Sequence, residues 1–333
     1  MLLLGAWALA AAPRRVAVFP VPGPLRVAIG EGSVAALWWD GRISTKRHVD
    51  KTWTIIPHQT GQVDSQGSLV YLAPHATSLI TISAGEIEMV DVDRLRRKTC
   101  LQLPTRGSLA GRDMEYPTAA GVAPDTRQIM LAVERATVDD SRRSTQLFIG
   151  ALCGGEWRRL TLPQASDRLE IISWFSSDSV IVGNRCRLSH SDDRGKTWRP
   201  VIVEPHLCTP GTDSAAIVTL DFVSGLIGFM SNSNGDIFAT EDGGKKWLLR
   251  PTKVSVTLKE RKQFGVSGAL CFQTRLRGWR LDDDLVLRES TDGGRSWNVT
   301  EGPSEMEVPA SIFKSYNGRC YLMSGRSLYD LME

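Results

Sequence analysis

Paired carboxylates are the usual instruments of acid/base and hydrolytic chemistry, and three groups of them stand out in this chain of 333 residues. Asp113 and Glu115 lie close together in GRDMEYP, with Asp139 and Asp140 in a second acidic segment, and Asp282, Asp283 and Asp284 form a run in WRLDDDLV. Two such carboxyls set about 5 to 10 Å apart across a cleft suffice to hydrolyse a glycosidic bond. A charged hairpin tip is also what solvation alone produces. The third group is periodic: Asp193, Asp242 and Asp292 recur in the octets SDDRGKTW (191–198), TEDGGKKW (240–247) and STDGGRSW (290–297).

The octets start 49 and 50 residues apart, and self-similarity at such a period marks a stacked or circular repeat. Between them, short runs rich in Val, Ile, Leu, Phe and Trp alternate with Gly, Asn, Asp and Ser clusters, as in strands closed by tight turns. AIVTLDF (216–222), GLIGFMSN (225–232), DIFAT (236–240) and KWLLRP (246–251) make one four-stranded meander, with the octet at the turn between its third and fourth strands. Each octet has turn chemistry. Gly195, Gly244 and Gly294 supply positive φ. The side chains of Asp193, Asp242 and Asp292, with Ser191, Thr240 and Ser290, are placed to accept main-chain N–H groups. Trp198, Trp247 and Trp297 open the outer strand and bury a ring against the next sheet.

Decayed copies continue upstream, with rungs at Trp53, Cys100 and Trp157. After the last octet only three strand candidates remain, PASIFKSY (309–316), GRCYLMS (318–324) and RSLYDLM (326–332), while RRVAVFP (14–20) is left over before the first complete set. Pairing the two remnants closes a ring and removes two exposed edges. The expectation is therefore an all-β, seven-bladed β-propeller of four-stranded antiparallel blades, its last blade completed by the N-terminal strand, with six blades as the alternative.

Composition narrows the function. A net charge of +3 with no long basic run argues against nucleic acid. Of forty cationic residues ten are lysine, an excess of arginine that fits either carboxylate recognition or coding bias. Six cysteines (Cys100, Cys153, Cys186, Cys208, Cys271, Cys320) show no C-x-x-C, so no metal site is expected, and both disulfides and buried thiols remain open. MLLLGAWALAAAPRR has the apolar stretch and small residues of a secretory signal, although Arg14 and Arg15 follow the stretch rather than precede it. Residues 1–12 are read as a signal peptide and 13–333 as one propeller domain; the apolar stretch is too short for a stable membrane span.

The three octets resemble the Asp-box, or BNR, repeat S/T-x-D-x-G-x-T/S-W/F, a mark of the β-propeller superfamily that includes sialidases, sortilin and the photosystem II assembly factor. The resemblance covers roughly 165–300. It implies that the octets are folding devices on the face away from the recognition site, and that the protein works outside the cytoplasm, periplasmic or secreted. A sialidase would further need three arginines, a Tyr nucleophile with a Glu, and an Asp acid/base. Tyr116 beside Glu115 and Asp113, near Arg106 and Arg112, has those ingredients. The R-I-P motif is absent, however, since Arg42-Ile43 is followed by Ser44.

The leading expectation is thus a non-catalytic exported scaffold without cofactors, monomeric, that binds a protein or glycan. A glycoside hydrolase is the alternative, using Asp113, Glu115, Tyr116 or Asp283. The segments 104–117, 134–145, 203–214 and 251–265 are long enough to carry recognition. Lys253, Lys259, Arg261 and Lys262, joined by Arg106, Arg112, Arg142 and Arg143, point to an acidic partner.

Overall fold

The computed structural model describes residues 13–19, 26–29, 33–37, 43–47, 52–56, 69–72, 78–82, 86–91, 96–102, 113–124, 128–137, 143–151, 154–162, 168–205, 215–251, 269–282, 285–303, 306–307, 310–314 and 318–331. Every regular element among them is a strand. No helix among them is long and apolar enough to cross a membrane.

The strands fall into seven antiparallel sheets, numbered here as blades along the chain. After β1 (Arg14–Val18), blade 1 holds β2 (Arg26–Ile29), β3 (Ser33–Leu37), β4 (Ile43–Arg47) and β5 (Thr54–Ile56). Blade 2 holds β6 (Leu69–Leu72), β7 (Ser78–Ile82), β8 (Glu86–Asp91) and β9 (Arg96–Gln102), and blade 3 holds β10 (Asp113–Val122), β11 (Gln128–Thr137), β12 (Arg143–Ala151) and β13 (Arg158–Leu160). Blade 4 holds β14 (Ile171–Trp174), β15 (Val180–Gly183), β16 (Leu188–Ser191) and β17 (Arg199–Pro200). β18 (Ile202–Glu204) follows, then blade 5 with β19 (Ile217–Phe222), β20 (Gly228–Asn232), β21 (Ile237–Thr240) and β22 (Lys246–Arg250). Blade 6 holds β23 (Ala269–Phe272), β24 (Gly278–Leu281), β25 (Leu287–Ser290) and β26 (Asn298–Val299). Blade 7 begins with β27 (Ala310–Lys314), β28 (Cys320–Ser324) and β29 (Ser327–Asp330).

The leftover N-terminal strand does what the count of strands requires. β1 pairs antiparallel with β29, Arg14 opposite Asp330 and Val18 opposite Ser327, and so becomes the outer strand of blade 7. The seam is extended by the Phe19 N–H on the Arg326 carbonyl (2.7 Å) and by the Arg326 Nε on the Phe19 carbonyl (3.0 Å). First strands of neighbouring blades lie side by side, β10 by β14, β19 by β23 and β23 by β27, and therefore surround the axis.

Sandwiching between two neighbours explains the sequence pattern. Middle strands are buried on both sides and read as unbroken runs: VIVG in β15, IFAT in β21, CYLMS in β28. Outer strands meet solvent and alternate, as KWLLR does in β22. One connection departs from the simple repeat. After β17 the chain crosses to the next blade, where β18 pairs parallel with β22 and gives blade 5 a fifth strand.

Aromatic rings join the later blades. Trp247 stands edge-on to Phe222 (5.7 Å), which stacks on Phe175 of blade 4 (3.7 Å). One blade on, Trp297 stands edge-on to Phe272 (5.9 Å), which stacks on Phe229 of blade 5 (3.5 Å). A disulfide between Cys271 in β23 and Cys320 in β28 ties blade 6 to blade 7.

Candidate functional site

The carboxylates that recur with the repeat are consumed by their own turns. Ser191 Oγ donates to Asp193 Oδ1 (2.8 Å) and accepts the Gly195 N–H (2.7 Å), while Asp193 accepts the Thr197 N–H (2.8 Å) and hydroxyl (2.6 Å). Thr240 and Asp242 repeat this with Gly244, Lys245 and Lys246, and Ser290 and Asp292 repeat it with Gly294, Arg295 and Ser296. Each turn contains two successive left-handed residues, Arg194-Gly195, Gly243-Gly244 and Gly293-Gly294. The sequence reading found the second glycine of each pair and missed the first position, which Arg194 occupies at a φ of 61°.

That first position has a task. Its N–H donates to the turn between the first and second strands of the same blade: Arg194 to Asp178 O, Gly243 to Leu226 O and Gly293 to Leu276 O. The octets and the first-to-second turns thus brace each other on one face of the ring. Indole N–H groups complete the arrangement. Trp247 and Trp297 donate to Gly244 O and Gly294 O of their own loops, whereas Trp198 donates to Thr161 O behind blade 3 and Trp53 to Val18 O of β1. The decayed rung at Trp53 therefore still fastens two blades together.

These bonds favour the ionised acids. The Thr197 hydroxyl and N–H, opposed by some desolvation, hold the Asp193 carboxyl down to about 2. Burial pushes Asp242 and Asp292 up, but the N–H and hydroxyl donors around each outweigh it and leave both lowered. A carboxyl lowered by folding adds stability that is present above its unfolded value near 4 and is lost as pH falls through its folded value. Unfolding measured between pH 4 and pH 2 should therefore show stability falling with acidity. In Asp193→Asn the slope should shrink by up to one proton, about 1.4 kcal/mol per pH unit; an unchanged slope would mean the turn does not hold the carboxylate.

The other acid/base candidates are also paired. Asp282, read as a member of an exposed acidic tip, is instead largely buried between Arg280 and Arg288, with two bonds from Arg280 (2.5 and 2.6 Å) and one from Arg288. His190 is buried 3.4 Å from Asp192; burial pushes its imidazole down more than Asp192 lifts it, so at neutral pH it is an uncharged packed ring. Asp113, Glu115 and Tyr116 lie on β10 opposite Thr137, Arg135 and Glu134.

Of the predicted binding residues, Arg143 is the first residue of β12, opposite Ala136. Arg106, Arg112, Arg142, Lys253, Lys259, Arg261 and Lys262 lie outside the described residues, as do Asp283 and residues 1–12. Cys100 and Cys186 are disulfide-bonded, and no cysteine among the described residues is free.

Sequence reasoning missed a cavity of ≈ 600 Å³ at the axial end of the first strands, on the octet face. Its walls come from the ends of β10, β14, β19, β23 and β27, and across it Lys314 meets Asp221 at 3.1 Å. Lys314 also donates to Phe222 O (2.8 Å), and Asp221 accepts the Phe272 N–H (3.2 Å). Burial pushes the Asp221 carboxyl up against the lowering effect of Lys314. The one available signal was a charge inside each apolar strand, Asp221 in IVTLDF and Lys314 in ASIFK, 93 residues apart.

Residues 143–266 match the family model described as photosynthesis system II assembly factor YCF48. By structure the chain is similar to YCF48 from Cyanidioschyzon merolae, with a TM-score of 0.58 and 12% identity over 96% of this chain and 98% of that one. It is similar to YCF48 bound to D1 peptide at a TM-score of 0.58 and 13% identity, over 95% and 94% of the two chains. A chain in the crystal structure of the mitotic checkpoint complex reaches a TM-score of 0.57 at 10% identity, over 97% and 92%. At such identities the likeness speaks for the fold alone. No curated protein matches by sequence. With three octets in register, the chain is a β-propeller carrying BNR-type repeats, and its residues 143–266 are similar to the assembly-factor family.

Proposed function

We propose that this chain is a non-catalytic, exported propeller that holds an acidic segment of a partner protein on the face opposite the octets. The observation that carries this reading is the match of residues 143–266, from β12 to the connection before β23, to the assembly-factor family model. A similar propeller is described as bound to D1 peptide, which makes a peptide the natural class of partner. β9, β12, β22 and β23 have ends on the face away from the octets, and Arg106, Arg112, Arg142, Arg143, Lys253, Lys259, Arg261 and Lys262 stand next to those ends in sequence. Disulfides at Cys271–Cys320, Cys100 and Cys186 favour an oxidising compartment, periplasmic or secreted. Asp282 is bonded to Arg280 and Arg288 and largely buried, so it offers no exposed carboxyl to a substrate.

The test is capture of a partner from an envelope extract by site-directed crosslinking, followed by affinity measurement on the purified pair. Arg261→Glu with Lys262→Glu should weaken binding by about tenfold or more at low salt and flatten its salt dependence. Unchanged affinity would exclude that loop as the contact. Turnover of a fluorogenic sialoside or β-glucoside that Asp113→Asn or Asp283→Asn abolishes would replace the scaffold reading with a hydrolase.

A further inference from the structure

We infer that the junction of blades 4 and 5 carries an acid-sensitive latch: a proton taken up by the His190 ring loosens this one contact between blades while the rest of the ring stays shut. The latch works independently of the cationic loops proposed as the binding face.

Position comes first. His190 lies on β16 directly before the octet of blade 4, opposite Ile181 on β15 and Arg199 on β17. Ile181 and Leu188, the latter two residues before His190, pack in one cluster with Met230, Phe238 and Trp247 of blade 5, so the imidazole is on the side of blade 4 that meets blade 5. The ring is 2% exposed and lies 6.1 Å from Phe175, which stacks on Phe222 of blade 5. In the other two octets the same place is held by Ala239, which does not titrate, and by Glu289, which takes the Arg277 guanidinium at 2.6 Å. Of the three, blade 4 has the group whose charge changes in the range between about pH 5 and 8.

Charge then sets the direction. One carboxylate, Asp192, stands between the two blades, 3.4 Å from Nε2 of His190 and 3.3 Å from Nζ of Lys245 in the blade 5 octet. Nε2 has no hydrogen-bond partner among the described residues. Protonation therefore makes His190 compete with Lys245 for Asp192, and an ion pair between blades gives way to one within blade 4. It also forms a cation in a buried site that Arg199 of β17 and Lys245 already face, and where the second acid, Asp242, is bonded into its own turn. Burial lowers the ring's hold on a proton more than Asp192 raises it, so the opened junction takes the proton more readily than the closed one. Opening is accordingly favoured as pH falls below the ordinary histidine value of about 6.5, and the effect levels off below the folded value. Asp221 on β19, raised by burial, has the opposite sign: it gains its proton more readily in the folded ring and resists opening in acid.

Hydrogen exchange of the full chain tests the latch at Ile217, whose N–H crosses the junction to the Arg185 carbonyl at 2.8 Å. Its protection, taken relative to the intrinsic rate at each pH, should fall about threefold or more between about pH 7.5 and 5.5. Phe19, bonded across the seam in blade 7, should keep its protection over the same range. His190→Gln removes the titrating group and should abolish the fall at Ile217. Asp192→Asn, at a half-exposed position, keeps His190 and removes its counter-charge, so the fall should be deeper than in the parent chain; if His190→Gln fails to fold, Asp192→Asn decides alone. Protection at Ile217 that holds or rises on acidification, or an equal fall at Phe19, would overturn the proposal. So would a fall that survives His190→Gln, or one that Asp192→Asn leaves unchanged or shallower.

Discussion

Trp247→Ala should destabilise the protein by about 3–5 kcal/mol, the range for removing a fully buried large ring. Trp247 is 0% exposed, and its ring does three things at once. It stands edge-on to Phe222, which also stacks on Phe175 of the preceding blade, so the loss reaches across the blade interface. Its indole closes the loop on Gly244 O. It also lies so close to the backbone of Gly228 that a Cβ there would come within 3.0 Å of the ring, and the collapsed variant has no side chain at that position to refill the space. Denaturant unfolding measures the loss. Val299→Ala, on an outer strand at 66% exposure, should change stability by less than about 0.5 kcal/mol and serves as the reference. Similar values for the two variants would mean that the rings do not hold the blades together.

Replacing Cys271 and Cys320 together by alanine should cost about 4 kcal/mol, the chain-entropy value for a loop of this length. The bond spans 49 residues and joins β23 to β28, so in the unfolded chain it restrains most of blades 6 and 7. Both cysteines are fully buried. Reductant added to the folded protein should therefore act only as fast as the chain opens, and unfolding curves with and without reductant should differ mainly in their denatured states. A loss below about 1 kcal/mol in the double variant would show that the junction of blades 6 and 7 is held by packing without help from the bond.

Much of this architecture is written locally. The octets announce themselves because a turn with two left-handed residues, a self-bonding aspartate and a hydroxyl two residues before it leaves few residue types to choose from. The closing strand was legible for a different reason: three strand patterns at the C-terminus and one spare at the N-terminus have only one economical pairing, and β1 takes it. What escaped the sequence is what depends on residues far apart. The stack of Phe175 on Phe222 and of Phe229 on Phe272 appears only when neighbouring blades meet. Cys271 pairs with Cys320 although Cys186 and Cys208 are nearer in sequence. β18 crosses to the next blade because β22 offers a free edge, a fact of tertiary position that IVE does not announce. The candidate site followed the same division. Asp282 looked like a solvated acid because its partners, Arg280 and Arg288, looked like ordinary strand residues; the cavity at Trp174 was invisible because five separate strands build it.

The proposed binding face depends on the ring being shut by its two termini, and the amide of Phe19 reports on that seam directly. Its N–H bonds to the Arg326 carbonyl at 2.7 Å, so in deuterated buffer it should exchange as slowly as the β28 amides, through opening of blade 7 as a unit. Exchange within the dead time, at the rate of a frayed terminus and with β28 still protected, would show the seam open and remove the basis for assigning that face.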